Sequence, residues 1–535
     1  MRPPPTRLRF LALTPLVLLS LLGLISSLTA AEPPTAAERP NIIFLLTDDQ
    51  RDNTFGAMGH PVIKTPHLDA LMGASMRFRN AYAPTPVCAP SRVSYLTGMP
   101  ERLHGVGFSS SYVLTEEQWE QTYPAVLRRN GYYTGFVGKF GVEYYTFKGD
   151  ANEKFDYWWG HDGWTKFLPK DHDQASTKPY HRAQADTIPA IMAEAMTEFL
   201  DSTPDDEPFC LSVSLNVPHG SQATSMFTDY EDWHNMTRPA NENPQLQGTP
   251  FYDELYRDGD LAIPADALTD PYQVMPRFIQ DQDKGRRNQT YSYDYNAASL
   301  REHHIRYFQI ITGLDETIGK LRSELKNRGL DRNTIIIYGS DHGLLMGEYG
   351  MGGKGLLLDL SAKIPSLIHD PRLPATKRGK QRDELISGLD YARTILDYAG
   401  VAAPDQMEGR SLRPLVESSP VDWRDSLFLE SLFTLRDTPF QEGIRTDRWK
   451  YIRMYDGVTN FKETDVDFRG REPEFEMLFD LHADPTEHHN LAEDPAYAKT
   501  IARFRAQTAT HSVAINDRRA AFMKVSSPAP RPRRK

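Results

Sequence analysis

The chain has 535 residues, too many for one small core, and 72 Asp and Glu against 61 Lys and Arg leave a net charge of −11. An acidic balance argues against nonspecific nucleic-acid binding, so an anionic ligand would need a local basic pocket rather than a basic surface.

Residues 1–31 read as a leader. Arg2, Arg7 and Arg9 give a positive start, Phe10 to Ile25 is almost wholly apolar, and Thr29-Ala30-Ala31 offers small residues for cleavage after Ala31. The alternative is an uncleaved N-terminal anchor. No cysteine follows the apolar run, so a lipoprotein anchor is not supported, and Arg7-Leu8-Arg9 is not a twin-arginine pair. Removing the three leader arginines takes the net charge from −11 to −14. A cleaved leader implies a periplasmic or secreted protein with no stable membrane anchor. Export would permit disulfides, yet Cys88 and Cys210 are the only cysteines.

Asn41 to Thr47 is a continuous apolar run ending in Asp48-Asp49, as suits a parallel strand buried on both faces. Phe209 to Leu215, which contains Cys210, reads as a second such strand, with an inert core thiol, and is followed by Asn216-Val217-Pro218-His219. Thr334 to Tyr338 is a third, ending in Gly339-Ser340-Asp341-His342-Gly343. Helical patterns fall near 120–130, 186–201 and 301–329. The alternation predicts an α/β fold, a mainly parallel sheet flanked by helices, with ligands beyond the carboxyl ends of the strands.

Residues 220–300 have little periodicity and read as an elaborated loop; the sequons at Asn235 and Asn288 matter only in a glycosylating host. Beyond about 420, Ser426 to Glu430, Gly443 to Arg453 and Glu476 to Leu481 look like strands, and 494–511 like a helix. The expected organisation is a large catalytic unit over 32–420, a small antiparallel sheet plus helix over 421–525, and a disordered tail over 526–535. There is no internal repeat.

Asp48, Asp49 and Asp341 place three carboxylates at two strand ends. Clustered anions repel unless a cation neutralises them, and oxygen-rich surroundings favour Ca²⁺ or Mg²⁺ over zinc. Arg92 follows Cys88 by four residues, one turn if the segment is helical, and a helix start there would point free N–H groups at an anion. His219, just past the strand of Cys210, is the residue type that suits a proton donor to a leaving alkoxide. Lys139, in Gly138-Lys139-Phe140-Gly141, and Lys354, in Gly352-Gly353-Lys354-Gly355, are further cations in the polar segments.

The run Cys88-Ala89-Pro90-Ser91-Arg92, continuing to Leu96-Thr97-Gly98, resembles the C-x-P-S-R…T-G signature of type I sulfatases. Arg445-Thr446-Asp447-Arg448-Trp449-Lys450-Tyr451 and Leu478-Phe479-Asp480-Leu481 look like that family's small second domain. The resemblance implies an alkaline-phosphatase-like fold and oxidation of Cys88 by a formylglycine-generating enzyme to an aldehyde whose hydrate is the nucleophile. No disulfide is then expected.

It also implies a metal, Ca²⁺ before Mg²⁺, held by Asp48, Asp49, Asp341, His342 and the modified residue 88. The Asp-His pair is similar to that of iduronate-2-sulfatase-like members. Arg92 would stabilise the formylglycine hydrate and Asp341 accept its proton. Lys139, His219 and Lys354 would contact sulfate, with His219 as the acid.

One position departs from the pattern: Gly141 stands where the family's G-K-W-H motif has the histidine assigned to sulfate release. His104, Glu143, His161, Asp341 or water would have to serve instead. The function implied is hydrolysis of a sulfate ester on a carbohydrate. The alternatives are a phosphonate or phosphodiester hydrolase of the same superfamily and a catalytically impaired glycan-binding homologue. Aromatic residues between Tyr144 and Phe167 are either core or a platform for sugar rings.

Overall fold

The computed structural model describes residues 39–142, 150–163, 165–171, 175–220, 255–259, 261–267, 297–435, 438–525 and 529–530, with residues 1, 173 and 275. The leader beyond Met1, most of the 220–300 segment with both sequons, Glu143 and the aromatics Tyr144, Tyr145, Phe147 and Trp164 lie outside the described residues. Among the described residues, no helix is long and apolar enough to cross a membrane.

The large sheet has eight strands: β1 (Asn41–Thr47), β2 (Met76–Tyr82), β3 (Tyr133–Lys139), β4 (Tyr157–His161), β5 (Phe209–Ser214), β6 (Thr334–Ser340), β7 (Leu367–His369) and β8 (Lys380–Ser387). Their order is β8-β2-β7-β6-β1-β5-β3-β4. Pairing is parallel from β6 through β1, β5 and β3 to β4, and again between β8 and β2. The short β7 alone runs against both its neighbours.

Strand side chains alternate between faces, and in β1 this splits an unbroken apolar run between two cores. Ile42, Phe44 and Leu46 join the core built with helices α1 (Cys88–Thr97), α2 (Tyr123–Arg129) and, farther along the chain, Leu389–Tyr398. Ile43 and Leu45 face the opposite core, which contains α3 (Ile188–Ser202) and α4 (Ala297–Asn327). Cys210 is buried in the first core, as expected of an inert thiol, and burial pushes it well above the usual thiol range.

A second, antiparallel sheet is formed by β9 (Ser426–Ser431), β10 (Phe440–Thr446), β11 (Trp449–Tyr455) and β12 (Phe475–Asp480), in that order. The single expected strand over Gly443–Arg453 is in fact two, β10 and β11, joined by a hairpin at Asp447-Arg448. The backbone N–H of Trp449 donates to Thr446 Oγ1 at 2.9 Å and closes the turn.

Ile444, Tyr451 and Leu478 meet Ile501 and Phe504 of the helix Ala498–Val525. That helix runs beyond the expected end at 511, because Ser512, Ile515, Asn516 and Arg519 continue its buried side. Arg102, on the short helix Glu101–His104 that follows α1, fastens that segment to the second sheet through Glu430 of β9 (3.1 Å) and Glu442 of β10 (2.6 Å). Within the expected tail, Ala529–Pro530 pairs with Tyr112–Val113.

Candidate active site

The carboxyl ends of β6, β1, β5, β3 and β4 lie along one edge of the parallel part of the sheet, where α/β proteins collect ligands. Asp341-His342 follows β6 and Asp48-Asp49 follows β1; Asn216 lies just past β5, and Lys139 and His161 end β3 and β4. Strand register ties these ends together: the N–H of Asp341 donates to Thr47 O at 2.9 Å, and that of Asp49 to Asp341 Oδ1 at 3.1 Å. Asp49 holds φ 65°, a left-handed conformation uncommon outside glycine and found where a site imposes it.

Helix α1 delivers the motif. It begins at Cys88, is buried throughout, and ends at Gly98, whose left-handed backbone returns an N–H to Ser94 O at 2.8 Å. Cys88 and Arg92, one turn apart, share the face turned to the strand ends. Ser91 Oγ donates to Asp341 O at 2.6 Å and pins the first turn in place.

Around Cys88 Sγ lie Lys354 Nζ at 2.7 Å, His342 Nε2 at 3.2 Å and Asp48 Oδ1 at 3.5 Å. Lys354 Nζ also reaches Asp49 Oδ1 at 2.7 Å, and Lys139 Nζ reaches Asp48 Oδ2 at 2.6 Å. Arg92 contacts Asp341 Oδ2 at 2.8 Å and Asp48 Oδ2 at 3.4 Å. His219 Nε2 lies 3.7 Å from Asp49 Oδ2 and, 13 % exposed, sits nearest the mouth. The structure therefore brings every residue expected at the site into one cluster.

Two members had not been singled out in the sequence. Asn216 Nδ2 donates to Asp48 Oδ2 at 2.9 Å, and Ser214 Oγ accepts from Arg92 Nη1. Their only advance signal was position, at a strand end just before His219.

The electrostatics balance three carboxylates against cations. Burial alone would raise Asp48, but Lys139, His219, Arg92 and Lys354 hold it well below the usual carboxylate range. Burial and the adjacent Asp48 charge push Asp341 up to about 6, which shows how crowded the anions are. Burial and Asp48 oppose ionisation of Cys88; Lys139, Lys354 and His342 overcome both and lower its pKa.

The donor set suits a hard divalent cation. Asp48, Cys88, Asp341 and His342 place one ligand atom each within 4.8 Å of the others, and Asp48, Asp49, Cys88 and His219 do the same. His342 Nδ1 pairs with Gly343 O at 2.8 Å, a contact that would leave Nε2 as the nitrogen for a metal.

Of the aromatic segment, Phe155, Tyr157, Trp159 and Phe167 are buried core. Among the described residues Phe108 is 39 % exposed and meets Phe433 edge to face at 6.3 Å. Phe433 in turn stands against Gly355, next to Lys354: a Cβ built there would lie 3.1 Å from the Phe433 ring.

A family model described as Sulfatase matches residues 40–401, and one described as N-sulphoglucosamine sulphohydrolase, C-terminal, matches 347–513. The chain is 28% identical over 527 residues to an N-acetylglucosamine-6-O-sulfatase of Bacteroides thetaiotaomicron, covering 91% of this chain and 88% of that one. It resembles a solved structure in complex with its substrate D-glucosamine-2-N, 6-O-disulfate, with TM-score 0.63, 23% identity and coverage of 92% and 99%. It also resembles the phosphonate monoester hydrolase of Agrobacterium radiobacter, with TM-score 0.66, 21% identity and coverage of 89% and 96%.

Proposed function

Because the chain belongs to the sulfatase family of sulfuric ester hydrolases, we propose that it removes sulfate from a sulfated carbohydrate at the cluster around residue 88. One observation carries this reading: Lys139, Lys354, Arg92 and His219 converge on the same buried point as Cys88 and three carboxylates. A sulfate ester, an anion at every physiological pH, needs such a pocket within an otherwise acidic chain.

The residues present fit both groups the family uses, a divalent cation on Asp48, Asp49, Asp341 and His342, and a formylglycine in place of Cys88. When present, these supply Lewis-acid polarisation of the sulfate oxygens and a hydrated carbon as nucleophile. Calcium would be favoured over magnesium because a donor set rich in carboxylate oxygens suits its larger, more adaptable coordination.

Lys139 and Lys354 hold sulfate oxygens and offset the charge that develops on them. Arg92 keeps Asp341 ionised, so that its Oδ1 accepts a proton as the nucleophile attacks. His219 Nε2, at the mouth, gives a proton to the departing alcohol oxygen. Asn216 fixes the rotamer of Asp48.

The carbohydrate assignment rests on the glucosamine sulfatases among the relatives and on the Phe108–Phe433 wall beside Lys354. An exposed ring such as Phe108 gives a sugar face something to pack on. Export through the leader and maturation by a formylglycine-generating enzyme belong to the same reading.

The test is sulfate release from a panel of sulfated monosaccharides, with 4-nitrophenyl sulfate and 4-nitrophenyl phenylphosphonate in parallel. The peptide containing residue 88 is weighed in the same samples. Aryl and sugar sulfate turnover, with the thiol replaced by the aldehyde, is expected. Preferential phosphonate turnover would shift the function to the phosphonate hydrolases; activity from unmodified Cys88 would sink the mechanism.

A further inference from the structure

Gly141 leaves a gap in the cluster. It holds φ 64°, and a Cβ built on it would lie 3.3 Å from Arg92 Cδ and 3.4 Å from Lys139 Cε, so a side chain there would enter between the two cations. Besides Asp341, whose oxygens are held by Arg92 at 2.8 Å and by the N–H of Asp49 at 3.1 Å, three residues were candidates to do its work. Both ring nitrogens of His104 are engaged structurally, Nε2 with Ser94 Oγ at 3.1 Å and Nδ1 with the N–H of Val106 at 3.0 Å. Glu143 lies outside the described residues. The third is His161.

His161 ends β4 as the register partner of Lys139 at the end of β3. Partners on neighbouring parallel strands project from the same face, so the imidazole stands beside the Lys139 stem, on the side from which Lys139 reaches Asp48. The N–H of Phe140 donates to His161 O at 2.8 Å and holds the two strand ends together past the last pair. His161 is 3% exposed, and its Nε2 is buried with no hydrogen-bond partner among the described residues.

Its other nitrogen, Nδ1, pairs with Asp162 O at 3.3 Å, an acceptor only, so the proton of the neutral ring belongs on Nδ1 and Nε2 carries the lone pair. The ring of Tyr180 braces it edge to face at 5.1 Å. An orphaned, buried acceptor costs free energy unless something uses it.

We infer that His161 Nε2 is the proton acceptor for sulfate release, taking the place left without a side chain at Gly141. The inference rests on the proposed function. After transfer, the carbon of residue 88 carries one free hydroxyl and one oxygen bonded to the sulfo group. Nε2 takes the hydroxyl proton, the O–H electron pair becomes the second bond of the carbonyl, and the carbon–oxygen bond to sulfate breaks. Sulfate leaves with that electron pair, the aldehyde is restored, and the imidazolium returns its proton to water. No oxidant or reductant is required.

Burial and the charges of Lys139 and Arg92 keep the ring neutral, its pKa lowered to about 3. A bound sulfate offsets those two cations at the moment the base is needed.

The experiment uses the matured protein with His161→Ala and His161→Asn, followed by stopped flow with 4-nitrophenyl sulfate and by mass of the residue-88 peptide after quenching. A burst of nitrophenol at the parent rate is expected in both variants, followed by a steady phase slowed about 10²- to 10⁴-fold, the range for loss of a general base. A sulfo group retained on the residue-88 peptide should accompany it.

Burst amplitude counts only folded, matured molecules, so partial unfolding lowers the amplitude and leaves the ratio of phases intact. Steady rates within threefold of the parent would overturn the role, as would burst and steady rates falling together with no retained sulfo group. A parent protein that leaves aryl sulfate untouched, though its residue-88 peptide carries the aldehyde, would overturn the function and this role with it.

Discussion

Arg92 and Asp341, 249 positions apart in the chain, meet at 2.8 Å with both side chains almost wholly buried. Together with its 3.4 Å approach to Asp48, the Arg92 guanidinium joins the motif helix to two strand ends. Removing one partner of a buried pair leaves the other charge stranded, at about 3–5 kcal/mol. Arg92→Ala is therefore expected to lower unfolding stability by that order and to abolish turnover. Arg92→Lys should recover part of the stability and little activity, because an ammonium cannot span Asp341, Asp48 and Lys139 O at once. Denaturant unfolding beside aryl sulfate assays checks both; an Ala variant as stable as the parent would refute the clamp.

Chelation should separate the metal's contribution from that of the cations. Dialysis against EDTA is expected to lower the melting temperature and activity, and Ca²⁺ to restore both. At 100 to 1,000 times the dissociation constant the ion adds about 3–4 kcal/mol. In Asp48→Asn the same titration should shift to higher Ca²⁺ concentration. Melting curves indifferent to both treatments would remove the cation from the site.

Glu101 supplies a pH dependence away from the catalytic cluster. Burial and the neighbouring Glu430 charge push its carboxyl up to about 8, against 4.5 for the ordinary group. The folded chain thus holds a proton that the unfolded chain releases, so stability falls as pH rises from about 4.5 to about 8 and levels off above. Glu101→Gln removes this loss: relative to the parent, the variant should gain on the order of a few kcal/mol between pH 5 and pH 8. Parallel stability profiles for the two proteins would contradict the assignment.

Phe108 and Phe433 should affect sugar substrates selectively. Loss of one aromatic contact is worth about 1 kcal/mol, so Phe108→Ala is expected to raise KM for a sulfated monosaccharide several-fold. Its kcat, and kcat for 4-nitrophenyl sulfate, should change little. Equal effects on kcat for both substrates would place the ring in the chemistry rather than at the entrance.

Much of this architecture was legible because local pattern and tertiary role agree. Unbroken apolar runs at 41–47 and 334–338 suit strands buried on two faces, and the polar residues that end them are the site. The cluster's chemistry was likewise visible in Cys88, Arg92 and the Asp pairs.

What escaped was set by distance in sequence. Asn216 is an ordinary loop amide until β5 is laid beside β1 and its Nδ2 meets Asp48. His161 is one of several candidates in the sequence, and only the pairing of β4 with β3 sets it beside Lys139 and apart from the others. The hairpin inside 443–453 was hidden because Thr446, Asp447 and Arg448 lack the glycine or asparagine that usually marks a tight turn.

Burial of Cys88 bears on chronology. Its thiol is 3% exposed, walled in by helix α1, two strand ends and Lys354. An enzyme that oxidises this thiol needs to reach it, and the finished fold does not present it. If Cys88 becomes an aldehyde, that oxidation has to come while the first hundred residues are still unfolded, before β6 arrives with Asp341. Chain made without the maturation enzyme, once folded, would be a stable dead end, and later exposure to the enzyme would not rescue it.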